Sequence, residues 1–338
     1  GYIDLKIIAK GKGGHSSTPK SNTPLARLSK FVADIEKDKP FKAEISGPVY
    51  AMLADGVTKA VESFNESKSD SEKVDLFIFE AGTNQAEWSS KIIALASEQK
   101  YDVIISANSS LPDLVKPITQ QFPNQKFILL DAECEGNKNI YTVRYNQYQQ
   151  SYLTGYIAGL MSKSHKLALI AAQEYPVMNN VIFPYFKKGA LDAYADTSVD
   201  FRIVGNWYDA TKGAMIADSV IQNGVDVILP ICGGAAQGVI NSAKNNGIYI
   251  TWFDNNGFAR APETIISSTL MLQDKMAEKI TSEYLNDQIT WGAADMVGME
   301  DGFIDFVQDD SRYIKNVPAD IRAKMANLVE DIKQKKIE

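Results

Sequence analysis

The sequence predicts an α/β chain built on two parallel sheets, and three observations carry that prediction. Apolar runs at 101–107 and 126–131 show no alternation, which suits strands buried on both faces of a parallel sheet. The same kind of run recurs at 226–231 and 248–253, again ending in polar, glycine or aromatic residues. Helical patterns separate the strands from about residue 50 to 290, the signature of βα units.

In order, 48–64 reads as a helix, with Val49, Met52, Leu53, Val57, Ala60, Val61 and Phe64 on one face. Residues 74–80 read as a strand, 87–98 as a helix, 101–107 as a strand, 112–121 as a helix and 127–131 as a strand. A short strand at 141–145 precedes a helix over 149–161, and the cycle restarts at 166–172. Helix 179–194, strand 201–207 and helix 211–223 follow, then a helix that opens at Gly233. Residues 274–285 and 319–335 are late amphipathic helices. Residues 1–46 break the scheme: an alternating strand, a glycine turn around His15, a helix over 18–38 and a short strand at 41–45 form an α+β appendage.

Composition narrows the function classes. With 35 basic and 42 acidic residues the net charge is −7, which argues against nucleic acid or an anionic membrane as main partner. Two cysteines, Cys134 and Cys232, and two histidines, His15 and His165, define neither a disulfide framework nor a histidine-rich metal centre. No cofactor is expected. No run of about 20 apolar residues is present, so no transmembrane segment is expected. Residue 1 reads as the start of a trimmed chain.

Candidate binding residues lie just past the strand ends, the edge where open α/β sheets take ligands. They are Asn84, Asn108, Asp131 and Gln147 in the first half, and Trp207, Trp252, Asp254 and Asn255 in the second; Tyr50 opens the first helix. Trp207 fits a ring that stacks on a planar ligand, or a core tryptophan. Asp254 fits an acceptor for sugar-like hydroxyls, or a cap or turn residue. Asp209 is placed to cap the helix after Trp207. Gly233-Gly-Ala-Ala-Gln-Gly238 opens a helix after a strand, without the spacing of a dinucleotide fingerprint. There is no nucleophile elbow, P-loop or zinc-protease pair, so an enzyme is not expected.

Tyr50-Ala-Met-Leu-Ala-Asp-Gly-Val57, Tyr141-Thr-Val-Arg-Tyr-Asn146, Tyr152-Leu-Thr-Gly-Tyr-Ile-Ala-Gly159, Trp207-Tyr-Asp-Ala-Thr-Lys-Gly213 and the Gly233–Gly238 turn occur in that order. From about residue 47 onward the chain resembles the basic membrane protein family, solute-binding lipoproteins of ABC importers that include purine nucleoside receptors. The resemblance implies a two-lobed type I periplasmic binding protein fold, each lobe a parallel sheet flanked by helices. It also implies an extracytoplasmic, lipid-anchored or periplasmic setting, a permease partner and a heteroaromatic ligand, with Trp207 as the stacking ring and Asp254 as the sugar-binding acid. Lobe one is expected at 41–143 and 264–290, lobe two at 146–262 and 291–338, with 1–40 as the appendage. Two features depart from the nucleoside receptors: the Asp-rich first loop is missing, and 267–273 contains no lysine. These departures are closer to the spirochaete-type branch that includes riboflavin receptors, so riboflavin is placed ahead of a purine nucleoside. Residues 1–19 resemble the start of the lid domain of zinc aminoacylase and carboxypeptidase relatives, which implies a chimera joined near Ser46-Gly-Pro48. A sensory domain of the same fold, or a zinc peptidase relative, are the alternatives.

Overall fold

A computed structural model of the chain describes residues 48–82 and 84–336. The chain divides between Gly47 and Pro48, and the described residues belong to the unit that starts at Pro48. The readings made for 1–46, including strand 41–45 and His15 as a turn residue, lie outside them, as does the side chain of Tyr50.

The first sheet has the order β1-β2-β3-β9, from β1 (Val103–Ala107), β2 (Lys126–Leu130), β3 (Ile140–Tyr145) and β9 (Ala294–Val297), all parallel. The second has the order β10-β8-β7-β6-β4-β5, from β4 (Lys166–Ala171), β5 (Ser198–Ile203), β6 (Val227–Ile231), β7 (Tyr249–Trp252), β8 (Ile265–Met271) and β10 (Ile304–Phe306). Central strands β4 and β6 are almost wholly buried, as unbroken apolar runs require. One departure from the all-parallel expectation is β10, which runs antiparallel to β8 at the edge.

Helices flank both sheets: α1 (Pro48–Glu66), α2 (Trp88–Ser97), α3 (Leu111–Gln121), α4 (Gln147–Met161), α5 (Phe183–Ala193), α6 (Ala210–Gln222), α7 (Ala236–Asn246), α8 (Gln273–Leu285), α9 (Ser311–Asn316) and α10 (Ala319–Lys333). Close helix contacts explain part of the motif glycines. A β-carbon on Gly155 of α4 would run into the Phe186 carbonyl of α5, and one on Gly238 of α7 into the Ala210 carbonyl of α6.

Two assignments change. The run 264–272 was expected in lobe one, but β8 pairs with β7 in the second sheet, whereas α8 packs on α1. Conversely, β9 lies inside 291–338 yet joins the first sheet. A run buried on both faces suits a central strand of either sheet, so its pattern cannot choose between them. The chain therefore crosses between sheets three times: after β3, after β8 and after β9. The expected strand 74–80 forms no ladder among the described residues. It leaves Leu76, Phe77, Ile78 and Phe79 exposed, with Phe77 stacked on Tyr101. Strand formation needs a partner edge, which an apolar run by itself does not supply.

Candidate functional site

Two aspartates mark corresponding places in the two lobes. Asp131 directly follows β2, and Asp254 follows Trp252 at the end of β7. Both adopt the left-handed backbone conformation, with φ of 53° and 72°. That region is uncommon outside glycine, and Asp and Asn are the side chains that tolerate it best. The Asp254 turn is held by its carbonyl, which accepts from the Met271 N–H (3.0 Å).

Asp254 lies near enough to Asp131 for its charge to act on it. Burial raises the Asp254 carboxyl from 3.8 to about 6, against the lowering effect of the Gln150 amide, which donates to it at 3.1 Å. Burial, then repulsion from Asp254, raises Asp131 from 3.8 to about 7. No cation contributes to either shift. Both side chains keep some contact with solvent, yet little water solvates their charge.

Polar groups around the pair are incompletely used. The Tyr145 hydroxyl and the Gln150 carbonyl oxygen are buried without a hydrogen-bond partner. Burial and then the two aspartates raise the Tyr175 hydroxyl well above its ordinary range, so this ring also lies near both acids. Tyr175 in turn lies 6.5 Å from the Trp207 ring, which is 42% exposed. Backbone bonds fix the Trp207 loop. The Asn206 side-chain oxygen accepts from the N–H groups of Tyr208 (3.0 Å) and Asp209 (2.8 Å). The Trp207 carbonyl accepts from Gly234 N–H (2.8 Å). Gly233, at φ 56°, has its Cα side so close to that carbonyl that a β-carbon would lie 2.8 Å from it. Asp209 caps α6 through the Lys212 N–H (2.9 Å), as its position indicated.

A cavity of about 170 Å³ adjoins Asp131 and is lined in part by Ser109, Arg144, Tyr145, Gln147 and Tyr148. Arg144 is already paired with Glu133 at 3.1 Å. A larger, more open depression of about 530 Å³ lies along 116–139 and contains neither aspartate.

Gln147 thus lines the cavity beside Asp131, Asp254 lies near enough to repel Asp131, and Trp207 neighbours Tyr175, whose hydroxyl both acids affect. The other candidates are placed differently. Trp252 is buried and donates its indole N–H to the Asn255 side chain (2.9 Å), with Arg260 over its ring and Gly257 beneath it. These two residues satisfy each other. Asn108 accepts from the Ser110 N–H (2.9 Å) and hydroxyl (2.6 Å), a local turn before α3. Asn84 caps the turn 85–87 and bonds Glu87, exposed. Sequence reasoning passed over Gln150, Tyr145 and Tyr175; the first two flank Gln147 in the amide-rich stretch 145–150, which was the available signal. Among the described residues, no group of three or more His, Cys, Asp or Glu is placed to hold a metal ion, and no helix is long and apolar enough to cross a membrane.

Comparisons with known proteins agree on this architecture. A solved solute-binding protein of an ABC transporter system from Aeropyrum pernix K1 superposes with a TM-score of 0.70 at 18% identity, over 87% of this chain and 90% of that one. That likeness establishes the type I binding-protein fold. The CD4+ T-cell-stimulating antigen of Listeria monocytogenes is 24% identical over 55% of this chain, which spans about half (52%) of that relative's length. Basic membrane protein A of Borreliella afzelii is 24% identical over 86% of this chain and 90% of its own. The ABC transporter nucleoside-binding protein BmpA of Lactococcus lactis is 28% identical over 44% of this chain and 42% of its own. The family model described as ABC transporter substrate-binding protein PnrA-like matches residues 42–338. With that match covering most of the sequence, the chain belongs to the Bmp family of ABC transporter substrate-binding proteins.

Proposed function

We propose that this chain is the receptor of an ABC importer and takes a small heteroaromatic solute bearing a polyol or ribose group between its lobes. One observation carries the proposal: Asp131 from the first lobe and Asp254 from the second converge, with the unpartnered Tyr145 hydroxyl and Gln150 oxygen beside them. Two acids without a cation need a ligand that donates hydrogen bonds, and vicinal hydroxyls do so without adding charge. Trp207 and Tyr175 supply rings for the planar part, worth about 0.5–1.5 kcal/mol per stacked pair beyond area. Ribose of a purine nucleoside and the ribityl chain of riboflavin present the same donors. The relative named for nucleoside binding supports the nucleoside, while the sequence departures described above support the flavin.

In this reading the protein works outside the cytoplasm, hands its solute to a membrane permease and catalyses nothing. The lobes comprise the first sheet with α1–α3 and α8, and the second with the remaining helices. Residues 1–41 precede the family match, which starts a few residues before the join proposed near Ser46-Gly-Pro48 for a fused fragment. Calorimetric titration with inosine, guanosine and riboflavin tests the proposal, with Asp254→Ala and Trp207→Ala as controls. Tight binding that both variants retain would place the solute elsewhere.

A further inference from the structure

Asp131 belongs to two neighbourhoods. In one it feels the charge of Asp254 and acts on Tyr175, whose ring neighbours Trp207. In the other it lines the cavity of about 170 Å³. That volume falls below the roughly 300–1,000 Å³ of a site for a whole small molecule. It is still many times what a single water needs. A space of this size suits one substituent of a solute, not the solute itself.

Both lobes build the wall. Val177 and Val181 come from the second lobe, just ahead of α5. A π turn over Met178–Ile182 lies there, a departure found mostly at functional sites. Ala132 and Tyr145 contribute from the first lobe, and Tyr148 from α4, packed edge-on against Tyr185 with ring centroids 4.7 Å apart. Much of the surface is therefore aliphatic or aromatic. The charged groups of the wall leave one acid over: Arg144 is paired with Glu133 at 3.1 Å, and Asp131 remains. A phosphate or carboxylate placed there would meet Asp131 with no spare cation among the described residues of the wall.

We infer that this cavity is a subsite for an uncharged, mainly apolar group, a short alkyl or thioalkyl, carried at the end of the ribose or polyol that Asp131 holds. The inference rests on the solute class proposed above and narrows it. The receptor favours a polyol whose end is capped over one ending in a free hydroxymethyl, and it rejects one ending in phosphate. Val177 and Val181 are the specificity-determining residues.

Calorimetric titration of the full chain tests this with adenosine, its 5′-methylthio-5′-deoxy derivative, its 5′-amino-5′-deoxy derivative and its 5′-phosphate, and with riboflavin as a second probe of the solute class. The methylthio compound is expected to bind about tenfold more tightly than adenosine, since two heavy atoms leave water for an apolar wall. The phosphate is expected to bind about tenfold or more weakly than adenosine. Two variants, checked for folding by circular dichroism, probe the wall. Val177→Phe fills the cavity and should bring the ratio of the methylthio and adenosine affinities near one. Val181→Thr places a hydroxyl in the wall at almost the same volume and should lower that ratio. If Val177→Phe fails to fold, Val181→Thr decides alone. A methylthio compound that binds no better than adenosine overturns the subsite and leaves the solute class standing. Tighter binding of the phosphate or the amine than of the methylthio compound overturns it too, as does a ratio unchanged in the folded variants. If riboflavin binds and no adenosine compound does, the subsite falls and the solute class stands. If nothing binds, both fall.

Discussion

Replacing Asp254 by Asn should stabilise the ligand-free protein at pH 8 and leave it nearly unchanged at pH 4. The carboxyl is raised from 3.8 to about 6, mainly by burial. For an acid raised in the folded state, the folded protein holds a proton that the unfolded chain has already released. Stability is therefore fully present below about pH 4 and lost as pH rises through about 6. Each pH unit between the two values is worth about 1.4 kcal/mol, an upper bound near 3 kcal/mol. Partial solvent contact of the side chain lowers this to about 1–2 kcal/mol. Asn removes the charge, keeps an oxygen for the Gln150 amide and tolerates the left-handed backbone at φ 72°. Repulsion on Asp131 also disappears, adding to the gain at high pH. The assay is thermal unfolding of both proteins from pH 4 to 8, with a few degrees of difference expected at the upper end. A difference that does not change with pH would refute the reasoning, because propensity and packing effects do not titrate. A less stable variant at pH 8 would refute it too.

Three further outcomes follow from the same contacts. Binding of inosine or riboflavin should strengthen from pH 5 to pH 8, since a donor-rich solute meets ionised Asp131 and Asp254; isothermal titration across that range with flat affinity would contradict it. Trp207→Ala should weaken binding by roughly tenfold with little change in melting temperature, whereas Trp252→Ala should cost about 3–5 kcal/mol of stability in denaturant unfolding, because the first ring is exposed and the second buried. Gly155→Ala should destabilise by about 1–3 kcal/mol in the same unfolding assay, since its β-carbon meets backbone of α5 that cannot step aside, and this outweighs the helix propensity gained.

The two sheets were legible from their unbroken apolar runs because burial on both faces leaves a mark in the residues themselves. β4 and β6 are of this kind. Helix caps were legible for the same local reason: Asp209 sits before α6 and bonds the N–H it was placed to bond. Of the candidate residues, Asp254 lies near enough to Asp131 to repel it, while Trp252 and Asn255 bond each other. At a strand end all four look equivalent, because position along the chain does not tell which way a side chain turns. Strand 74–80 shows the same limit, an apolar run with no ladder partner among the described residues.

Residue patterns alone carry the βα alternation, the strand-end location of the polar groups, the acidic balance and the motifs that mark the family. Those depend on residue type and on spacing within a few turns. The assembled fold is needed to see which sheet β8 and β9 join, that two acids over 120 positions apart repel, and that Gln149 bonds Met299 and Glu300 from 150 and 151 residues away. Strand order and side-chain meetings of that range depend on how three crossovers bring distant segments together, and no local pattern encodes the energy of a contact whose two halves lie so far apart in the chain.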